Sequence, residues 1–312
     1  MIVRNNIPIY KICWLNHAEG GIIGSFYEPE TKEELVELCC TLYKEKRTFD
    51  LIGHTSNIYF LPNYSVDIMV STRKVNNVDY LADCIVADCG ASVRLLAHKM
   101  VEEGVVGFEG LIDLPGTVAA SVYGNASCYG CSINSLLLSL ELLRPTGEIV
   151  KIKPKDLKLS RRSSALKRGE LTGVILSITL KKQIGNVIEI KQKAEYNHQH
   201  RKATQPPSND NLGSIYKTST GWSYASIFPR MLSNIYCFLL LIWEKDRTKL
   251  KRRKTEFILK MLGAKDLVPY VYGWNRYIWK DEKAHVLFWK YHRIHQTMFK
   301  QSNFEIEIKG KR

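Results

Sequence analysis

Between Gly107 and Ser132 the chain reads GFEGLIDLPGTVAASVYGNASCYGCS, and this stretch limits the folds open to it more than any other. It is dense in Gly and small residues, turns at Pro115-Gly116 and carries almost no charge. Such a run makes neither an amphipathic helix nor an alternating strand. Small residues let a backbone approach its neighbour closely, and Gly supplies positive φ where a turn demands it. Two readings follow: a buried, tightly turned crossover, or a main-chain cradle whose N–H groups face a ligand. Cys128 and Cys131 form a CxxC inside the stretch, but no second pair stands at metal-ligand spacing, so both are expected to fill small-residue slots.

A chain of 312 residues is long enough for two domains, each with its own core. Hydrophobic residues at 45% and charged residues at 24% are globular values, which excludes wholesale disorder. The formal charge of +14 fits a polyanionic partner, a nucleotide-diphosphate ligand or simple solubility equally well. No recognition-helix, zinc-finger or RNA-binding signature accompanies it, so no nucleic-acid partner is expected. The N-terminus MIVRNNIPIYKICW lacks a signal-peptide core. The longest apolar run, Ile235 to Trp243, is far short of the roughly 20 residues a bilayer span requires. Eight Cys without small-domain spacing suit reduced thiols, and the expectation is a cytoplasmic monomer with no membrane insertion.

Taken in order, Thr31 to Lys46 reads as a helix capped by Thr31, with Glu34 completing a capping box and Leu35, Leu38, Cys39 and Leu42 on one apolar face. A strand from Phe49 to Ile52 runs into Gly53-His54-Thr55-Ser56-Asn57, a turn composition that can wrap N–H groups around a phosphate but also occurs in ordinary turns. Strands follow at Asp67 to Ser71 and Cys84 to Asp88, then a helix from Ser92 to Glu103 stopped by Gly104. Leu136 to Leu143 and Glu148 to Ile152 form a hairpin across Pro145-Thr146-Gly147, and Gly173 to Leu180 is a further strand. There is no GxGxxG after a strand, which excludes a Rossmann site. The chain turns polar between Gln183 and Asn211, and Gln205 to Asp210 reads as a linker or exposed loop. A basic helix lies within residues 244–257, its charged face expected to be solvated. Lys280 to Gln301 has helical spacing and many aromatics. His285, His292 and His295 fall there without a carboxylate or Cys partner at ligand spacing, so packing is expected and no metal site.

LPGTVAASVYGNASCYG resembles the IPGTVGGAVxxNAGAYG signature of the UDP-N-acetylenolpyruvoylglucosamine reductases, which are flavoenzymes. In that family the earlier turn reads GxGSN and holds the flavin pyrophosphate; Gly53 and Ser56-Asn57 match it, while the middle is His54-Thr55. Arg161 to Lys167, RRSSALK, is similar to YRxSxxK, which puts Arg162 at the catalytic arginine and Arg161 where the family has tyrosine. Gly213 to Thr218, GSIYKT, is similar to GSxFKNP, with Thr218 and Ser219 in place of Asn and Pro. Glu305 to Gly310, EIEIKG, is similar to the LEPEVRxxG tail. The region from about 228 to 278 has no counterpart.

The resemblance implies an α+β chain: a two-subdomain FAD-binding domain of the PCMH or vanillyl-alcohol-oxidase type at 1–183, then a smaller α+β substrate-binding domain at 184–312. It implies FAD held at Gly53, His54, Thr55, Ser56, Asn57, Gly110, Pro115, Gly116, Thr117, Gly124, Asn125, Tyr129 and Gly130, with NADPH as reductant and a UDP-sugar as substrate. The implied catalytic set is Arg162, Ser214 and Glu307, with Lys217 on the substrate's diphosphate or carboxylate. Hydride addition to an enol ether suits these types. A guanidinium stabilises the charge that develops on the substrate carboxylate, a carboxyl group assists it, and a serine delivers the proton. From the residues alone, Arg162 also reads as part of a solvated basic loop, Ser214 as a turn serine, and Glu307 as the polar face of an edge strand. Two alternatives stand beside the reductase: a related flavoprotein acting on another sugar nucleotide, and an FAD-binding paralogue without turnover.

Overall fold

Helix α1, Lys32–Lys44, starts where Thr31 turns extended and its side chain accepts the Glu34 amide at 3.2 Å. Its face of Leu35, Leu38, Cys39 and Leu42 is buried, as the 3.6-residue spacing of those positions dictates. The Glu34 carboxylate takes the amide of Glu30 at 2.8 Å instead of closing a box on Thr31. The computed structural model describes residues 1–206, 208–217, 224–225, 231, 234–236, 238 and 247–310.

In chain order the strands are β1 Ile2–Pro8, β2 Ile22–Glu28, β3 Asp50–Ile52, β4 Ile58–Phe60, β5 Val66–Ser71, β6 Val78–Tyr80, β7 Cys84–Asp88, β8 Ser127–Cys128, β9 Cys131–Ser132, β10 Leu137–Leu143, β11 Ile149–Ile152, β12 Val174–Lys181 and β13 Glu307–Lys309. The helices after α1 are α2 Val93–Glu102, α3 Val118–Tyr123, α4 Ile133–Leu136, α5 Val187–Thr204, α6 Arg247–Met261 and α7 Lys283–Met298.

Two compact units divide the chain. One takes Met1–Ile12, Gly20–Thr55 and Asn63–Arg201; the other takes Cys13–Glu19, Ser56–Pro62 and Lys202–Arg312. Where a single boundary at 183 is expected, the first unit runs on to Arg201 and the second draws in two short N-terminal pieces. The Gly53–Asn57 turn is divided between them.

The first unit holds two sheets. One is mixed, in the order β1-β2-β5-β3, with β1 antiparallel to β2 and the other neighbours parallel. The other is antiparallel, in the order β11-β10-β12-β7-β6. Strand β12 (VILSITLK) is the central strand of the antiparallel sheet and is buried over nearly its whole length, which suits its β-branched and aliphatic run. Helix α1 packs on both sheets: its apolar face meets Ile68 and Val70 of β5, and Leu143, Val174 and Leu176 of β10 and β12. On the antiparallel sheet, α2 and the Gly-rich stretch share a larger core with Ile85, Ile178 and Leu180.

Helix α5 occupies most of the polar stretch between Gln183 and Asn211. Its inward stripe is Ile190, Ala194, Asn197 and Thr204, only half of it apolar.

In the second unit, β13 pairs parallel with β4, Glu307 opposite Ile58. Helix α7 buries Ala284, His285, Phe288, Tyr291, His292, His295 and Met298, one face at helical spacing, into a core with Tyr59, Tyr277 and Trp279. The three histidines pack as polar members of that core. The Tyr59 hydroxyl lies 3.0 Å from His285 Nδ1, that of Tyr216 lies 3.1 Å from His292 Nδ1, and Ser302 Oγ lies 2.7 Å from His295 Nδ1. Thr218, Ser219 and nearly all of the 228–246 stretch lie outside the described residues.

Candidate functional site

In the first unit the start of the Gly53–Asn57 turn meets the turn at Pro115-Gly116. A Cβ placed on Gly53 would fall 2.7 Å from Oγ1 and 3.0 Å from Cγ2 of Thr117, so only glycine lets the β3 turn rest on the Pro115-Gly116-Thr117 turn. Thr55, 4% exposed, sits at φ +55. A left-handed β-branched residue costs on the order of 1–2 kcal/mol and persists where its surroundings over-determine it. This position corresponds to the second glycine of GxGSN, so the departure in sequence falls where the backbone most favours glycine. A left-handed residue within a tight turn gathers successive N–H groups into an anion-binding concavity. Beside it, His54 is half-buried, and burial together with the charge of Arg73 holds its imidazole below the ordinary value.

Helix α3 contributes differently from the sequence expectation. Thr117 caps it by accepting the Ala120 amide at 3.3 Å. The amides of Val118 and Ala119 go to the carbonyls of Ala91 and Cys89 at 2.9 and 3.2 Å. Its first N–H groups are therefore spent on the fold, and any pyrophosphate must draw on other amides.

Beyond α3 the segments 122–134 and 158–168 interlock. Asn125, at φ +47, donates from Nδ2 to the Ser160 carbonyl at 2.7 Å and accepts at Oδ1 from Asn134 at 2.9 Å. Ser164 donates to the Tyr123 carbonyl at 2.7 Å. Arg162, at φ +54 on the Ser160–Ser163 turn, donates to the carbonyls of Asn125 at 3.5 Å and Ser127 at 3.1 Å. Arg168 ties the same turn through Ser160 Oγ, Ser163 Oγ and the Lys158 carbonyl. Gly110 passes so close to the 128–131 hairpin that a Cβ there would lie 2.4 Å from the Cys128 carbonyl oxygen.

Sequence reasoning missed α5, which clasps the Gly-rich stretch. Lys193 meets the buried Glu109 carboxylate at 2.7 Å, Asn197 Nδ2 donates to the Glu109 carbonyl at 3.0 Å, and His198 Nδ1 lies 2.8 Å from Asp113. Burial alone would push Glu109 up. Lys193 and the amides of Glu109 and Gly107 more than offset it, and the carboxyl stays below its ordinary value.

In the second unit the residues that follow Ser214 and those around Glu307 belong to one irregular ladder. Ile215 accepts the Glu305 amide at 2.7 Å, Asn57 Nδ2 donates to the Glu305 carbonyl at 3.4 Å, and the Asn57 carbonyl accepts the Glu307 amide at 2.9 Å. Asn275 fixes the strand after Ser214: its Oδ1 accepts the Tyr216 amide at 2.7 Å and its carbonyl accepts the Ile215 amide at 3.0 Å. Its signal in the sequence is a Gly-Trp-Asn turn inside the region without a family counterpart. Lys217 is half-buried, its amide on the Asn303 carbonyl at 2.9 Å. Ser214, Glu307, Ser56, Asn57 and Lys217 lie in the second unit; Arg162, Gly53, His54, Thr55 and the residues from Gly110 to Gly130 lie in the first.

Among the described residues no group of His, Cys, Asp and Glu is placed to hold a metal ion, and no helix is long and apolar enough to cross a membrane.

Residues 25–153 match FAD_binding_4, the FAD binding domain family. The first part of the chain is thus an FAD-binding domain. A UDP-N-acetylenolpyruvoylglucosamine reductase of Caldanaerobacter subterraneus subsp. tengcongensis is 28% identical over 203 residues, 65% of this chain and 67% of that protein. Another, of Fusobacterium nucleatum subsp. nucleatum, is 30% identical over 199 residues, 62% of this chain and 66% of that one. The chain is similar to these reductases over about two thirds of their length. The crystal structure of UDP-N-acetylenolpyruvylglucosamine reductase from Thermus caldophilus shares the fold at a TM-score of 0.70 and 19% identity, covering 99% of this chain and all of that one.

Proposed function

We propose that the chain is an FAD-dependent oxidoreductase that uses NADPH to reduce UDP-N-acetylenolpyruvoylglucosamine to UDP-N-acetylmuramate, a cytoplasmic step in making peptidoglycan precursors. The observation that carries this reading is the seating of Gly53 on Thr117 inside the FAD-binding domain, which makes one main-chain surface of two turns far apart in sequence. The residues present fit the cofactor: Gly53 leaves bare backbone, and the left-handed Thr55 turns the loop into a concavity suited to a pyrophosphate. Because the first amides of α3 are spent, the Gly53–Asn57 turn is the phosphate-holding element in this reading.

When bound, FAD supplies the hydride that it has accepted from NADPH. The chain's own residues hold the substrate and manage charge and proton. Arg162 presents a planar fork of donors, now resting on the carbonyls of Asn125 and Ser127, and would turn it to the substrate carboxylate as charge develops there. Glu307 assists that stabilisation from β13. Ser214 delivers the proton to the carbon next to the one that receives hydride, and Lys217 neutralises the diphosphate or carboxylate.

One observation favours keeping a second reading, a related flavoprotein acting on another sugar nucleotide. Asn275, in the region with no family counterpart, fixes the strand after Ser214. The test is an assay of NADPH consumption with the enolpyruvyl substrate, on the wild-type chain and on Ser214→Ala. Reduction of bound FAD by NADPH in both, with turnover lost in Ser214→Ala, supports the reading. Turnover unaffected by the change removes Ser214 from its role. Flavin reduction with no turnover of this substrate by the wild type favours another sugar nucleotide.

A further inference from the structure

The CxxC in the Gly-rich stretch is left without a part in this chemistry, yet its geometry is specific. Cys128 and Cys131 face each other as directly opposed partners across β8 and β9. The turn between them is Tyr129-Gly130, with φ of +45 and +80. Two left-handed residues in a two-residue connection make the tight hairpin that keeps its closing positions in register. Directly opposed residues of an antiparallel pair carry their side chains on one face, with Cα atoms about 4.5–5.5 Å apart. Disulfides form over Cα separations of about 4.4–6.8 Å. None of the other described cysteines has this arrangement: Cys39 and Cys40 are consecutive on α1, and Cys84 faces Lys181.

The surroundings of the pair differ in a way that orders a reaction. Cys128 is partly exposed, and Arg201 Nη1 stands 3.8 Å from its sulfur. Cys131 is buried, its sulfur 3.0 Å from where a Cβ on Gly110 would stand, so the glycine makes room for it. A neighbouring guanidinium favours a thiolate and exposure admits an oxidant, so the attacking sulfur is Cys128 and the resolving one Cys131. Burial pushes both thiols above their ordinary values, and for Cys128 the charges of Arg201 and Arg162 work against it.

We propose that Cys128 and Cys131 are a modification site, a dithiol that a peroxide converts reversibly to a disulfide at the tip of the Gly-rich stretch. The Cys128 thiolate attacks one oxygen of hydrogen peroxide, the O–O bond breaks, and hydroxide leaves to take up the thiol's proton as water. The Cys131 sulfur then displaces the hydroxyl of the resulting sulfenic acid; the S–S bond forms and a second water departs. In sum, two thiols and one peroxide give one disulfide and two waters. Opposed Cβ atoms stand about 4.5–5.5 Å apart, whereas a disulfide draws them to about 3.5–4.5 Å. Closing the bridge therefore moves the Tyr129-Gly130 turn, and, resting on the flavin reading given above, it changes how firmly that turn holds FAD.

The experiment uses the full chain. Purified protein is treated with hydrogen peroxide, unfolded, alkylated, and cut with chymotrypsin, which cleaves after Tyr129 and separates the two cysteines. The expected product is a pair of peptides joined through Cys128 and Cys131, released by dithiothreitol, forming faster as pH rises from about 7 to 9. In Cys128→Ser the remaining Cys131 should stay alkylatable after the same treatment. Both thiols alkylated after oxidation, or Cys128 driven to sulfinic acid while Cys131 stays free, overturns the proposal. FAD uptake is then titrated in the reduced and oxidised forms, with a several-fold difference expected. A disulfide that forms without altering FAD uptake overturns the coupling. A disulfide in a chain that takes up no FAD in either form upholds the dithiol and defeats the flavin reading.

Discussion

The Glu307 amide donates to the Asn57 carbonyl at 2.9 Å, joining the C-terminal strand to the turn that follows β3. Because that bond is made by backbone, it survives a change of side chain. Glu307→Gln should therefore leave the thermal midpoint unchanged within about a degree. Turnover should fall about 10²–10³-fold if its carboxyl group stabilises the developing charge. Steady-state NADPH consumption, paired with a melting curve, reads both, and undiminished turnover in the variant would take Glu307 out of the reaction.

Thr55 gives a prediction of opposite sign. Its φ of +55 costs a β-branched residue more than it costs glycine. Thr55→Gly is expected to raise stability by roughly 1 kcal/mol, glycine's greater freedom in the unfolded chain offsetting part of the relief. FAD uptake should persist, since the turn geometry is kept. Denaturant unfolding measures the first and a flavin titration the second; a clear loss of stability would mean that the threonine side chain, 4% exposed, contributes more packing than its backbone costs.

Gly53→Ala should do the reverse. Its methyl group would meet Thr117 at 2.7 Å, and overpacking of this kind costs about 1–3 kcal/mol. FAD affinity should fall by at least tenfold as the turns are driven apart. Pairing it with Thr117→Ser, which removes Cγ2 but keeps the capping oxygen, should recover part of the stability. No recovery in the double variant would show that the two positions do not interact.

His295 sets an acid limit. It is fully buried, and burial, with the charge of His292 added against a smaller opposing contribution from the Trp274 backbone, lowers its pKa to about 3. The unfolded chain takes up this proton near 6.5 and the folded chain does not, so stability is intact above that pH. It should fall as pH drops from about 6.5 toward about 3, by about 1.4 kcal/mol per unit from this residue. His292, Tyr216, Tyr291 and Ser302 surround it. Denaturant midpoints from pH 7 to 4.5 for the wild type and His295→Gln should diverge at the acid end. Parallel curves would place the acid sensitivity elsewhere.

Strong local signals were readable from the letters. Ser92 caps α2 and Gly104, at φ +72, follows its end. The four apolar positions of α1 are its buried face, and the Arg144-to-Glu148 turn closes the β10–β11 hairpin. Both turns of the Gly-rich reading were legible because Gly and small residues mark close backbone approach. Helix α5 was not, since two of its four inward residues, Asn197 and Thr204, are polar, and Asn197 reaches the Glu109 carbonyl by a hydrogen bond that no hydrophobic period records. Strand β1 escaped notice for a related reason: it is an edge strand whose first five residues are exposed and whose middle reads Arg-Asn-Asn. The clasp of Lys193 on Glu109 and the bracing of the Ser214 strand by Asn275 join residues far apart in sequence, so they became visible only once the chain was folded.

The proposed reaction passes hydride from NADPH, through bound FAD, to an enolpyruvyl sugar nucleotide. It is tested most directly by reducing the FAD-loaded protein with one equivalent of NADPH under anaerobic conditions. UDP-N-acetylenolpyruvoylglucosamine is then added while the absorbance of oxidised flavin is followed. The expected result is rapid return of that absorbance with formation of UDP-N-acetylmuramate. A preparation that takes up no FAD, or reduced FAD that stays reduced after the substrate is added, would contradict it.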